Sequence, residues 1–117
     1  MEDKKLFMNT YTGRVFNPLE MVPDNVAIED IAHALSMMCR GNGHLRFFYS
    51  VGLHSINCAQ EAIARGYQTG TVLACLLHDA TEAYIADLIR PVKNQLPEYE
   101  IMENNLFEVI KEKFFLQ

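Results

Sequence analysis

Clustered basic residues are missing from this sequence of 117 residues, which contains ten lysines and arginines against fifteen aspartates and glutamates. The formal net charge is −5 at pH 7. Because nucleic-acid backbones are held by clustered cations, this distribution argues against a nucleic-acid partner. A small anionic ligand needs only one or two local cations and stays compatible with the composition.

Cysteine is also scarce. Cys39, Cys58 and Cys75 are widely spaced, lie in apolar segments and form no C-x-x-C pair. Neither a disulfide framework nor a zinc ribbon is therefore expected. We expect three small buried side chains in a reducing cytosol.

Long apolar runs are absent as well, since none approaches the length that spans a bilayer. The opening letters MEDKKLFMN lack the order of a secretion signal. We therefore expect a cytoplasmic protein with no membrane partner. Half of the residues are hydrophobic and no linker interrupts them, so residues 1–117 are expected to form a single domain.

The apolar residues that are present have mostly helical spacing, which predicts an all-α fold. Helices are predicted over residues 26–40, 50–65 and 69–83, and from Pro97 to the end of the chain. The middle of the third helix is apolar on every side, which is typical of the centre of a helical bundle. Ahead of the helices, a Thr-Gly pair within Leu6–Phe16 predicts a short β-hairpin.

His78 and Asp79 follow an almost wholly apolar run, Val72 to Leu77. A buried carboxylate needs a partner, and neighbouring helix positions about 100° apart can converge on one ion. His54, on the preceding helix, is a candidate third ligand. Nitrogen and oxygen donors suit a divalent Mn, Co, Ni, Zn, Fe or Mg ion, whose identity the pattern leaves open. The alternative is a hydrogen-bonded His-Asp pair and a core histidine.

Glu82 follows His78 by four residues, so on a continuous helix it could orient or deprotonate a metal-bound water. Asp87, Arg90 and Lys93 come next, where a loop could present a carboxylate and two cations to a phosphorylated ligand. Each also has an ordinary interpretation, as a solvated helix residue, a cap and two surface charges.

These residues stand in longer phrases, YSVGLHS at 49–55 and LLHDATEAYIADLIRPVK at 76–93. The phrases resemble the HD-domain metal-dependent phosphohydrolases, and in particular the bacterial and prophage branch that includes the 5′-deoxynucleotidases. YTGRVFNPL and IEDIAHALSMMCRGNGH are similar to the same branch. The resemblance covers about residues 10–105.

The resemblance implies an HD-domain helical bundle that hydrolyses nucleotides, most simply (deoxy)nucleoside 5′-monophosphates, with a metal-activated water. It also implies a homodimer. By the family's pattern, one divalent metal would be bound by His54, His78 and Asp79, catalysis would involve Glu82 and Asp87, and the phosphate would be contacted by Arg40. Arg90 and Lys93 are further substrate-binding candidates because of their charge and their position after Asp87.

The sequence departs from the family's pattern in two places. Leu53 stands where relatives often have a glutamate before the first histidine, and no aspartate or histidine follows Asp87 to supply the final Asp ligand. The missing ligand could come from further helices of a longer chain, water, Glu103 or Glu108, or a neighbouring chain, or activity could be lost. The apolar ending Phe114 to Leu116 favours a domain that lacks the family's C-terminal helices. The alternative function is therefore a non-catalytic or truncated HD module that binds metal or nucleotide.

Overall fold

A small antiparallel hairpin opens the part of the chain that the computed structural model describes, residues 7–114. Strand β1 (Met8–Asn9) pairs with β2 (Val15–Phe16), with Met8 opposite Phe16. Gly13, at φ 90°, supplies the left-handed residue that the turn requires. The predicted hairpin is confirmed, and Leu6 lies outside the described residues.

The remaining regular structure is helical, so the predicted all-α class with a short hairpin is confirmed. The helices are α1 (Ile28–Ser36), α2 (Val51–Ala64), α3 (Thr69–Leu77), α4 (Glu82–Ile85), α5 (Arg90–Lys93) and α6 (Pro97–Phe114). Short 3₁₀ turns occur at Pro23–Asn25 and Arg40–Gly43. Phe115 and Leu116, used above to argue for truncation, lie outside the described range.

Helix α1 is shorter than predicted, because it ends at Ser36 rather than near residue 40. Beyond it the chain extends, and Cys39 forms an antiparallel bridge with Ser50. The Arg40 N–H donates to the Tyr49 carbonyl at 2.9 Å. The bridge closes the base of the intervening loop and sets Arg40 beside the start of α2.

Helix α3 was predicted to continue to residue 83, which was wrong beyond Leu77. The Ala80 N–H donates to the Leu77 carbonyl, and the Glu82 N–H donates to the Asp79 carbonyl, both at 3.0 Å. These three-residue bonds tighten the chain relative to the four-residue bonds of an α-helix. His78 and Asp79 therefore lie in a tight turn between α3 and α4.

The prediction of a centrally buried third helix was also wrong. Residues 72–76 of α3 are half-buried, and Leu77 is its one buried residue. The reason is that α3 packs mainly against α2, which covers one side of it. Among residues 7–114, no helix combines the length and apolar character that a membrane crossing requires.

The hydrophobic core fixes the segments on both sides of the His-Asp pair. Leu77 is 2% exposed and Ala80 is fully buried, and both belong to the core cluster that α1, α2 and α6 complete. Full burial of a leucine side chain contributes about 1.5–3 kcal/mol. Val51 is likewise buried at the start of α2. The two segments that carry the predicted ligands are thus anchored directly beside them.

The hairpin is attached to α1 through Asp30, which is 3% exposed. Its carboxylate accepts hydrogen bonds from the Thr12 N–H at 2.8 Å and the Thr12 hydroxyl at 2.9 Å. Burial alone would raise the pKa of Asp30, but these bonds, with Thr10 and the charge of Arg14, outweigh it and lower the pKa below its ordinary value. The ionised carboxylate is therefore the form that stabilises the fold.

Candidate metal and phosphate site

The side chains of His78 and Asp79 contact each other at the end of α3. His78 Nε2 lies 3.0 Å from Asp79 Oδ2, and His78 Nδ1 lies 2.6 Å from the carbonyl oxygen of Cys75. Because a carbonyl only accepts, Nδ1 carries the hydrogen, and Nε2 of a neutral ring presents its lone pair to the Asp79 oxygen. Two acceptors at this distance call for a cation, either a proton on Nε2 or a metal ion.

In the metal-free chain a proton on Nε2 can take this position. The hydrogen bond to Asp79 raises the pKa of His78. Burial alone would raise the pKa of Asp79, but the hydrogen bond and charge of His78 outweigh it, and the pKa lies below its ordinary value. A bound cation would replace the proton in the same electrostatic position.

His54 reaches the same carboxylate from α2. Ser50 caps this helix, its hydroxyl accepting a first-turn N–H at 2.9 Å. His54 Nε2 lies 3.8 Å from Asp79 Oδ2, and its ring meets the His78 ring edge to face, with centroids 5.4 Å apart. Burial, followed by the charge of Arg40, lowers the pKa of His54 and so favours the neutral ring, whose one unprotonated nitrogen can bind a metal. The three predicted ligands are thus brought together.

The donor set fits a divalent ion. Metal–nitrogen and metal–oxygen bonds of about 2.0–2.2 Å in a tetrahedral site separate the donor atoms by roughly 3.3–3.5 Å. The two distances to Asp79 Oδ2, 3.0 Å from His78 and 3.8 Å from His54, bracket this separation. The bond from His78 to the Cys75 carbonyl is the outer contact that orients many metal-binding histidines.

Cys58 was not predicted as part of the site. It follows His54 by one helical turn, and its Sγ lies 3.6 Å from His54 Nε2. One ligand atom each of His54, Cys58 and His78 lie within 4.8 Å of one another. Burial and the charge of Asp79 raise the pKa of the Cys58 thiol, so it is protonated in the metal-free chain. The four-residue spacing from His54 was the signal that could have identified it.

Glu82 begins α4 on the other side of Asp79. Its Oε2 is fully buried and has no hydrogen-bond partner among residues 7–114. Burial, followed by the neighbouring carboxyl groups of Asp87 and Asp79, raises the pKa of Glu82 to about 9. The side chain is therefore protonated at neutral pH and can give up a proton.

A cavity of about 300 Å³ opens beside this cluster. One part of its wall is acidic, from Asp79, Glu82 and Asp87, and another part is basic. The basic residues are the three predicted substrate-binding residues, Arg40, Arg90 and Lys93. The structure thus brings every residue predicted for catalysis and substrate binding to one cavity, which shares Asp79 with the histidine cluster.

Helix α6 contacts one of the basic residues of the cavity. Its Glu103 forms an ion pair with Lys93, with Oε1 2.7 Å from Nζ. The charge of Glu103 also contributes to the raised pKa of Glu82. Glu108, the other glutamate considered as a replacement ligand, instead pairs with Lys111 at 3.0 Å. Of the two, Glu103 is the one whose contacts are with residues of the site.

Leu53, the other departure from the family's pattern, is well exposed. It lines an apolar groove together with Ile28, Ile31 and Ile56. Its side chain therefore belongs to a surface that α1 and α2 share, apart from the cavity.

The chain matches no family model. It is 40% identical over 110 residues to the uncharacterized protein YfdR of Escherichia coli, an alignment that covers 94% of this chain and 59% of that protein. It is 39% identical over 95 residues to an uncharacterized protein of Rhodobacter capsulatus, covering 77% of this chain and 48% of the relative. The chain therefore spans about half the length of these curated relatives. Their names indicate no chemistry, so a functional argument depends on the site.

Proposed function

We propose that this chain is a metal-dependent phosphohydrolase of the HD type that acts on nucleotides, most simply (deoxy)nucleoside 5′-monophosphates. The observation that carries the proposal is the position of Asp79. Its carboxylate meets His54 and His78 on one side and lines the cavity with basic residues on the other. A metal held there would lie next to a bound phosphate.

Each residue of the site would have a separate role in the proposed reaction. The divalent ion would be held by His54, His78 and Asp79, and when bound it would acidify a water and neutralise charge on the phosphoryl group. Glu82, protonated and half-buried, would hold or transfer the proton that the reaction moves at its carboxyl oxygen. Arg40, Arg90 and Lys93 would bind the phosphate oxygens and offset their charge.

The size of the cavity supports a small substrate. A volume of about 300 Å³ is at the lower end of the range for small-molecule sites. The three cations that line it match the single phosphate group of a mononucleotide better than a polymer, which would need a longer basic track.

A second candidate is a module that binds metal or nucleotide without turnover. The metal-ligand group found among residues 7–114 consists of His54, Cys58 and His78, and Asp79 adds one carboxylate to it. Since the final aspartate of the family's pattern is absent after Asp87, the chain alone could bind a metal without holding it in a reactive geometry.

The experiment that separates these candidates combines elemental analysis with phosphate release from a panel of nucleoside monophosphates, with added Mn²⁺ or Co²⁺. His78→Ala should lose both the metal and the activity, and Glu82→Gln should keep the metal and slow the release. His33→Ala is the matched control, because His33 stacks on Tyr11 at 3.7 Å, away from the site. Metal without turnover in the unsubstituted chain would favour the binding module, and neither metal nor turnover would refute the phosphohydrolase.

A further inference from the structure

Ala86 has a backbone conformation that is unusual for any residue with a side chain. It ends α4 with φ 77° and ψ 164°, in a region that glycine occupies almost alone. Its N–H donates to the Glu82 carbonyl at 3.0 Å. A strained residue of this kind persists only where surrounding contacts hold it. The contacts of Ala86 therefore show which part of the fold maintains its conformation.

The carbonyl of Ala86 is held by α6. The Tyr99 hydroxyl, in the first turn of that helix, donates to the Ala86 carbonyl oxygen. The Tyr99 side chain is the partner that reaches Ala86 across 13 residues of sequence, and the same ring lies 5.9 Å from Lys93 Nζ. One turn later on the same helix face, Glu103 binds Lys93.

Ala86 directly precedes, in sequence, three residues that line the cavity. Asp87, Leu88 and Ile89 follow Ala86 without regular secondary structure, and all three line the cavity. The direction in which the chain leaves Ala86 therefore sets the position of the Asp87 carboxyl relative to Glu82. Without a contact to hold Ala86, its backbone would relax to an ordinary conformation and carry Asp87 with it.

We propose that Tyr99 is a positioning residue: by holding the strained Ala86 carbonyl, it sets the placement of Asp87 and so gives α6 control over the geometry of the cavity. The consequence for phosphate rests on the proposed function, whereas the structural role of Tyr99 does not.

The test uses Tyr99→Phe, which removes the hydroxyl and keeps the ring. Amide hydrogen exchange is followed at Ala86 and Lys93, whose N–H groups donate to the Glu82 and Ile89 carbonyls at the two ends of the segment. Binding of inorganic phosphate is measured on the same samples. Losing one hydrogen bond should raise the exchange rates roughly fivefold to tenfold and weaken phosphate binding. Tyr67→Phe is the control, because Tyr67 is exposed in the connection between α2 and α3.

Ala86→Gly adds a rescue arm, because glycine adopts this conformation without strain. In the Ala86→Gly background, Tyr99→Phe should change both readouts less than it does in the unsubstituted chain, as a double-mutant cycle would record. Unchanged exchange at Ala86 and Lys93 in Tyr99→Phe would overturn the proposal. Faster exchange in a chain that never binds phosphate would support the role of Tyr99 and refute the proposed function, so the two failures are distinct.

Discussion

The unfolding free energy of the metal-free protein should fall as the pH rises, because of Glu82. Replacing Glu82 by Gln should make this fall smaller. The pKa of Glu82 is about 9 in the folded chain against an ordinary value of 4.5, so the folded chain keeps a proton that the unfolded chain releases. Its contribution to stability is complete below pH 4.5 and is lost as the pH rises to about 9. Each unit is about 1.4 kcal/mol, so three units between pH 5 and pH 8 correspond to about 4 kcal/mol. Because Glu82 is only half-buried, we expect about 2 kcal/mol of this.

The assay is urea unfolding at pH 5 and pH 8 in the presence of a chelator. Between these pH values the unsubstituted chain should lose about 2 kcal/mol more of unfolding free energy than Glu82→Gln does. Glu20→Gln is the matched control, because Glu20 is an exposed glutamate outside the helices, and it should behave as the unsubstituted chain does. If the Glu82→Gln chain shows the same pH dependence as the unsubstituted chain, the burial and electrostatic coupling inferred for Glu82 are wrong.

Three further outcomes are expected. Asp79→Asn should abolish binding of one metal ion per chain, measured by elemental analysis after dialysis, and retention of the metal would remove Asp79 from the ligand set. Ala86→Gly should raise the unfolding free energy by about 1 kcal/mol, because relief of about 1–3 kcal/mol of backbone strain exceeds the entropic cost of glycine, about 0.5–1 kcal/mol; a lower melting temperature would contradict the strain. Asp30→Ala should destabilise the chain by about 2 kcal/mol at pH 7. The lowered pKa of Asp30 contributes stability above its ordinary value of 3.8 that is lost as the pH falls further, so the difference should shrink toward pH 3, as denaturant titrations at the two pH values would show.

The parts of the fold that follow from local patterns could be predicted from the sequence. The Thr-Gly pair at 12–13 placed the hairpin, Gly66 placed the end of α2, and Pro97 placed the start of α6, each within two residues. These signals are turn, cap and first-turn residues whose conformational preferences act over a few residues. They need no knowledge of tertiary contacts.

The ends of α1 and α3 could not be predicted, because contacts distant in sequence set them. The Cys39–Ser50 bridge pulls the chain out of α1, and burial of Leu77 and Ala80 on either side of His78 and Asp79 accompanies a tight turn that no apolar period reveals. Both deviations occur beside the candidate site, where tertiary contacts override local preference.

Some residues of the candidate site could be predicted from the sequence, and others could not. His54, His78 and Asp79 could be predicted as ligands because they lie in longer segments that resemble a known family, whereas the His-Asp pair alone leaves its ordinary interpretation open. Cys58 was missed because only its four-residue spacing from His54 marks it, and no sequence pattern marks Tyr99. Its role depends on the backbone conformation of Ala86, which only the folded chain exhibits.

The Cys39–Ser50 bridge separates the loop 41–48 from Arg40 and α2, which carry residues of the candidate site. Residues 41–48 are tied at their base, so changes in their length would leave Arg40 and α2 in place, and doubling such a loop adds only about 0.6 kcal/mol of closure entropy. Gly41 lines the cavity, while Phe47 and Phe48 stand well exposed in solvent. This loop is therefore a segment in which one wall of the cavity can diverge, or be engineered, while His54, His78 and Asp79 stay in place.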